Sequence, residues 1–229
     1  MIPPEEPDQL EPDKPISFRA KETVTWEKLW GSQYGTQIKE MYVKPILQKF
    51  EPEFIGRNVV DVGGGAHPVS NFLMEEHAIV SVDIAGEETQ KGGILRLNMD
   101  VREVLKGVNR ATQRKLMKIG LFFEIDVRSY SNDGVDCFLF SEILNYIDWR
   151  AALDTANKHL KTGGTIFIAN QPGRGFHELF SVDGIRSDSE IIDYFESNNY
   201  QIVCEAYEEI GIVPADQAMM FILAQKGSL

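Results

Sequence analysis

The sequence is poor in cysteine, in positive charge and in long apolar runs, and each shortage removes a class of function. Its 229 residues contain two cysteines, Cys137 and Cys204, each inside an apolar run. A disulfide framework or a thiolate metal site needs more ligands at closer spacing, so both thiols read as buried and reduced. No stretch approaches the roughly 18 uninterrupted apolar residues of a membrane-spanning helix. No basic segment leads into an apolar one at the N-terminus, as a secretory signal would require. The expected setting is the cytoplasm, away from membranes. Lys and Arg number 23 against 35 Asp and Glu, a formal net charge of -12. A field of that sign repels phosphate backbones, so nucleic acid is not an expected partner. The basic cluster Arg110, Arg114, Lys115 and Lys118 has the spacing of a solvated helix face.

What is present suits one α/β domain, since 43% of the residues are hydrophobic, enough for a buried sheet. Pro3, Pro4, Pro7, Pro12 and Pro15 crowd among Glu and Asp in the first fifteen residues. Residues 1–20 are therefore expected to form a disordered acidic tail, too poor in apolar surface to offset its ordering entropy, ahead of a single domain over 21–229. Trp26, Leu29, Trp30, Tyr34, Ile38, Met41 and Tyr42 follow helical spacing, broken near Gly31 and Gly35. That predicts an N-terminal helical lid over residues 21–50.

Beyond residue 55 short apolar runs alternate with helical stretches. Strands are predicted at 58–62, 78–84, 121–127, 135–140, 165–169, 201–206 and 218–225. Helices are predicted at 68–76, 101–118, 148–161 and 188–197, with Asp148 capping the third and Gly163 ending it. Residues 86–100, with Gly92, Gly93 and an alternating Leu95, Leu97 and Met99, read as an excursion before the helix at 101–118. The fold class is α/β: a doubly wound, mostly parallel seven-stranded sheet, with the last two strands paired antiparallel at one edge.

One segment concentrates the chemical signal. In Val59-Val60-Asp61-Val62-Gly63-Gly64-Gly65-Ala66-His67-Pro68 a buried strand enters a turn of three glycines and a helix follows. Glycine permits unusual torsions there and lets a ligand approach with no Cβ in the way. The next strand brings Asp83 to its C-terminal end, where a carboxylate in a doubly wound sheet accepts hydrogen bonds from ribose hydroxyls. A nicotinamide or flavin fingerprint would want glycine at 63, 65 and 68, but position 68 is Pro68, and it leaves Asp61 without a role.

These residues resemble the class I S-adenosylmethionine-dependent methyltransferases, and the resemblance extends over roughly residues 55–225. Asp61-Val-Gly63-Gly64-Gly65 is similar to the family's first motif, which lies under the methionine part of the cofactor. Asp83 matches its acidic ribose ligand, with Ile84 beside it. Asp126-Val127 resembles the pair that holds adenine. Val135-Asp136-Cys-Phe-Leu-Phe-Ser141-Glu142 matches the fourth strand and its turn, and Leu160-Lys-Thr-Gly163-Gly164-Thr-Ile-Phe-Ile the junction before the fifth. The resemblance implies a Rossmann-like methyltransferase fold, S-adenosyl-L-methionine as cofactor and methyl transfer to N or O of a small molecule. Two features depart from the pattern. His67 stands where a third alternate glycine is usual, and the stretch from Asp83 to Asp126 is long, so Asp100 competes for the adenine role. Asp126 is preferred because a helix at 101–118 would then separate the second and third strands, leaving Asp100 as its N-cap.

Methyl transfer from a sulfonium is an in-line displacement that positioning alone can drive, so no catalytic residue is required. His177, in Gly173-Arg-Gly-Phe-His-Glu, is the candidate acid–base residue; a surface loop histidine is the plainer reading. His67 is a candidate contact for the cofactor carboxylate or the substrate, and turn geometry explains it equally well. Ser141 is assigned to the cofactor, and Glu142 and Tyr146 to the acceptor pocket. Tyr34, with Trp26 and Trp30, has the placement for cation–π contact over the sulfonium, although an aromatic stripe is more often core. Asn170 would suit a metal-dependent catechol-type site, but Ser141 stands where its carboxylate ligand is expected. His77 and His159 lack zinc spacing, so no metal is expected. The alternatives are a protein or nucleic-acid methyltransferase, and a cyclase or binding protein that keeps the cofactor fold without transfer.

Overall fold

The computed structural model describes residues 36–37, 39–54, 58–65, 67–73, 77–83, 90–91, 94–98, 135–171, 185, 187–208 and 218–228. The expected tail, Tyr34, Ile84, Asp100, Asp126, Val127, His177, the helix at 101–118 and the strand at 121–127 lie outside them. Strands β1 (Asn58–Val62), β2 (Ala78–Asp83), β3 (Gln90–Lys91), β4 (Ile94–Asn98), β5 (Val135–Ser141), β6 (Leu160–Asn170), β7 (Tyr200–Glu208) and β8 (Met219–Lys226) form one sheet. Among the described residues its order is β3-β4-β2-β1-β5-β6-β8-β7, which makes eight strands without the one expected at 121–127. β4, β2, β1, β5 and β6 run parallel, while β8 pairs antiparallel with both β6 and β7. The expected antiparallel edge is therefore present, with β8 inserted inside β7.

Alternation along the strands sends neighbouring side chains to opposite faces. On β5, Phe138 and Phe140 join Val60, Val62, Ile166, Ile168 and Ile222 on one face. Helices α2 (Trp149–His159) and α3 (Asp188–Ser197) cover that face through Leu153, Ala156, Ile191 and Phe195. Cys137 and Leu139 point the other way, among Val59, Ile79, Phe167, Phe221 and Leu223. A π-helical turn, Lys39–Val43, leads into α1 (Lys44–Phe54), and Val43 and Leu47 seal this second face, both fully buried. Part of the expected lid is thus a core layer. Buried Glu51 on α1 and His77, just before β2, hold that layer to the sheet with a 2.8 Å contact.

Local signals set several boundaries. Asp148 Oδ1 accepts the Ala151 N–H at 3.0 Å and starts α2. α2 stops at His159 rather than running to Lys161, because Leu160 already pairs with Val135 and begins β6 five residues early. The largest correction concerns the strand beside β2. Ile94–Asn98 fills that place, pairing Ile79 with Ile94 through to Asp83 with Asn98. The alternation of Leu95, Leu97 and Met99 was a strand signal, set aside on the premise that the crossover must contain a helix. β3 runs antiparallel to β4 at its outer side.

Cys137 is completely buried, and that burial pushes its thiol up to about 12. Iodoacetamide at about pH 8 is expected to leave Cys137 unmodified in the native protein and to label it after denaturation. Mass spectrometry showing native Cys137 alkylated would contradict the packing. Because the unfolded thiol loses its proton first, Cys137 should contribute a decline in stability as pH rises from 9.0 toward about 12. No helix among the described residues is long and apolar enough to cross a membrane.

Candidate functional site

The chain builds outward from β1 through β2 to β4, then returns to place β5 on the opposite side of β1. In an open α/β sheet the crevice at such a reversal, beyond the strand C-termini, is where ligands bind. β1 brings Asp61 there, one residue before its end, and Asp61 has no exposed surface. Its Oδ2 accepts the Ser70 N–H at 2.9 Å and ties the strand to the short 3-10 turn Val69–Phe72. That turn is all that forms of the helix expected over 68–76 in the described residues.

The three glycines have different reasons to be glycine. Gly63 donates to the Val82 carbonyl at 2.8 Å with φ +74°, and a Cβ on it would lie 2.5 Å from Ile143 Cγ1. A Cβ on Gly64 would meet Ser81 Oγ and Pro68 Cβ at 2.5 and 2.6 Å. Gly65 also has a left-handed φ, +63°, yet a Cβ there would meet nothing within 4 Å. The first two glycines permit packing within the protein, whereas Gly65 borders open space. Its N–H donates to Asp83 Oδ2 at 2.9 Å, so the tip of β2 and the turn after β1 form one polar rim. Asp83 is partly exposed.

Lys39, which an amphipathic reading treats as a solvated residue, closes this rim. Its Nζ donates to the Gly64 carbonyl at 3.2 Å and to the His67 carbonyl at 3.0 Å. Burial lowers its pKa from the ordinary lysine value, while the charges of Asp61, Asp83 and Glu142 pull it back up. His67 contributes this backbone oxygen, and the residue itself is exposed.

β5 supplies the other wall. Ser141 pairs with Ala169, and its buried Oγ has no hydrogen-bond partner. Glu142 follows with φ 57°, a left-handed conformation that costs an ordinary residue about 1–2 kcal/mol. Its N–H is held by the Ala169 carbonyl at 2.8 Å, and the residue is buried. Tyr146 is also buried, its N–H bonded to the Ile143 carbonyl at 3.0 Å. Asn170, at the end of β6, donates from Nδ2 to Asn145 Oδ1 at 3.1 Å, and Asn145 Nδ2 donates to the Gln171 carbonyl at 2.8 Å.

The structure therefore brings together Asp61, Gly63, Gly64, Gly65, Asp83, Ser141 and Glu142 along three adjacent strand ends, and it adds Lys39 and the Asn145–Asn170 pair. The strand beside β2 ends at Asn98, two residues before Asp100 in the sequence, and Asp126 lies outside the described residues. Among the described residues no cluster of three or more His, Cys, Asp or Glu forms a metal site.

The strand order and the reversal at β1 define a Rossmann-like sheet, and the chain has the fold of the class I S-adenosylmethionine-dependent methyltransferases. Similar structures include Burkholderia thailandensis 1,6-didemethyltoxoflavin-N1-methyltransferase, solved with 1,6-didemethyltoxoflavin and S-adenosylhomocysteine (TM-score 0.61, 11% identity, 94% of this chain and 93% of that one). The N-methyltransferase NodS from Bradyrhizobium japonicum WM9, in complex with S-adenosylhomocysteine, aligns with TM-score 0.59 and 12% identity over 90% of this chain and 98% of its own. A chain of the Haloferax volcanii complex between the Trm112 methyltransferase activator and a methyltransferase aligns with TM-score 0.62 and 15% identity, again over 90% and 98%. No protein-family model matches the sequence, and no curated protein matches it by sequence.

Proposed function

We propose that this chain binds S-adenosyl-L-methionine and transfers its methyl group to nitrogen or oxygen of a small molecule. The observation that carries the reading is the charge of the crevice: among the described residues the Lys39 ammonium feels three carboxylates, Asp61, Asp83 and Glu142. Carboxylates outnumbering ammonium three to one suit a sulfonium cation and repel the pyrophosphate of a dinucleotide. The residues also fit the cofactor by shape. The open side of Gly65 leaves room for its methionine portion, and Asp83 stands at the strand tip for the ribose hydroxyls. Lys39 is placed for the cofactor carboxylate. By its position just after β4, Asp100 takes the adenine role in preference to Asp126, with Ile84 beside the ribose. Val127, Tyr34 over the sulfonium and His177 as an acid–base residue stay within the reading as further assignments.

When bound, the cofactor supplies an electrophilic methyl carbon on sulfur. Burial of Ser141, Glu142 and Tyr146 withholds water from the neighbouring strand end, and the rigid strand tips hold the partners in line. The similar 1,6-didemethyltoxoflavin-N1-methyltransferase, solved with 1,6-didemethyltoxoflavin, serves a small acceptor on this fold. Calorimetry should detect S-adenosylhomocysteine and not NAD. Methyl-labelled cofactor incubated with a cell extract should place label in the low-molecular-weight fraction. Binding of NAD with no S-adenosylhomocysteine signal would overturn the cofactor assignment. Label confined to protein or nucleic acid would overturn the acceptor class.

A further inference from the structure

We infer that Asn170 selects an amine nitrogen as the methyl acceptor, an assignment that rests on the cofactor reading above. Its orientation follows from hydrogen-bond logic alone. The Gln171 carbonyl can only accept, so Asn145 must turn its NH2 group toward it, at 2.8 Å. Asn145 then presents Oδ1 to Asn170, which must answer with its own NH2, at 3.1 Å. Asn170 Oδ1 is left over: among the described residues it has no hydrogen-bond partner, and the residue has no exposed surface. A buried amide oxygen without a donor costs about 1–3 kcal/mol, which a donor from a ligand would recover. It stands at the C-terminal end of β6, one residue past Ala169, whose carbonyl holds Glu142. The amide oxygen thus stands at the end of β6, next to β5, which Glu142 follows.

An amine suits this oxygen better than a hydroxyl. As the nitrogen lone pair forms the N–C bond, the C–S bond breaks and its electrons return to sulfur. Positive charge then appears on nitrogen, which keeps its protons until the product can release one to solvent. An N–H donated to Asn170 Oδ1 changes during this step from a neutral hydrogen bond to a charge-assisted one, roughly twice as strong. The gain arises in the transition state, where it accelerates transfer. A hydroxyl must instead surrender its proton, which an amide oxygen is too weakly basic to accept. Asn145 is the positioning residue that prevents Asn170 from flipping.

The test uses the full chain saturated with S-adenosylhomocysteine, with benzylamine against benzyl alcohol and phenethylamine against phenethyl alcohol as probes in competition binding. At neutral pH the amines carry the charge that the transferring nitrogen acquires. They should bind about tenfold or more tightly than the alcohols, the difference between a charged and a neutral hydrogen bond. Asn170→Leu, which keeps volume, and Asn170→Ala should bring the two classes within about threefold while S-adenosylhomocysteine affinity is unchanged. Alcohols binding as well as amines, amine preference surviving in both variants, or no probe binding at all would overturn the inference. Should neither variant fold, the wild-type comparison alone decides. A wild-type chain that fails to bind S-adenosylhomocysteine would overturn the cofactor reading itself, a result distinct from any of these.

Discussion

Asp83→Ala is expected to weaken S-adenosylhomocysteine binding about 10- to 100-fold, or about 1–3 kcal/mol, through loss of charged hydrogen bonds. The carboxylate does two things in the rim of the crevice. It accepts the Gly65 N–H at 2.9 Å, and it offers negative charge at the tip of β2, where a ribose would lie. Asp83→Asn separates these roles, since an amide oxygen can still accept from Gly65 but carries no charge. If binding depends on charge-assisted contact, Asn should behave closer to Ala than to Asp. Unchanged affinity in Asp83→Ala by calorimetry would remove the residue from the cofactor site.

Gly63→Ala is expected to destabilise the fold by about 2–5 kcal/mol, combining left-handed strain of about 1–2 with overpacking of about 1–3. The added methyl would lie 2.5 Å from Ile143 Cγ1, and Ile143 follows Glu142, itself held in a strained conformation by Ala169. The wall therefore has little freedom to retreat. Gly65→Ala is the matched comparison: it carries the same kind of torsional cost at φ +63° and no clash. Its stability loss should stay near about 1–2 kcal/mol, while cofactor affinity falls because the methyl projects into open space. Equal denaturant midpoints for the two variants would contradict the packing at Gly63.

Much of this arrangement was legible before any coordinates. β1 falls on the expected residues 58–62, and α3 runs from Asp188 to Ser197 as its helical period and flanking turn residues imply. The near-continuous apolar run of β5 correctly marked a strand buried on both faces. The glycine turn and Asp83 were visible because their chemistry is local and their strands are short. β4 was not recognised, although its alternating leucines were in view. Periodicity competes with a topological premise in such a segment, and here the alternation marks the strand that pairs with β2. Lys39 was missed because a lysine on an amphipathic helix has no sequence mark distinguishing a solvated ammonium from one folded over carbonyls 25 and 28 residues away. The Asn145–Asn170 pair was likewise hidden by a separation of 25 residues.

By itself the sequence determined β1, β2, β5, the two final strands, the glycine turn and Asp83 at a strand end, because apolar alternation and backbone torsion act between near neighbours. Only the tertiary structure decided which strand lies beside β2, which of two glycines faces protein and which faces open space, and which amide oxygen is left without a donor. Those outcomes depend on contacts between residues far apart along the chain, and no local pattern encodes their partners.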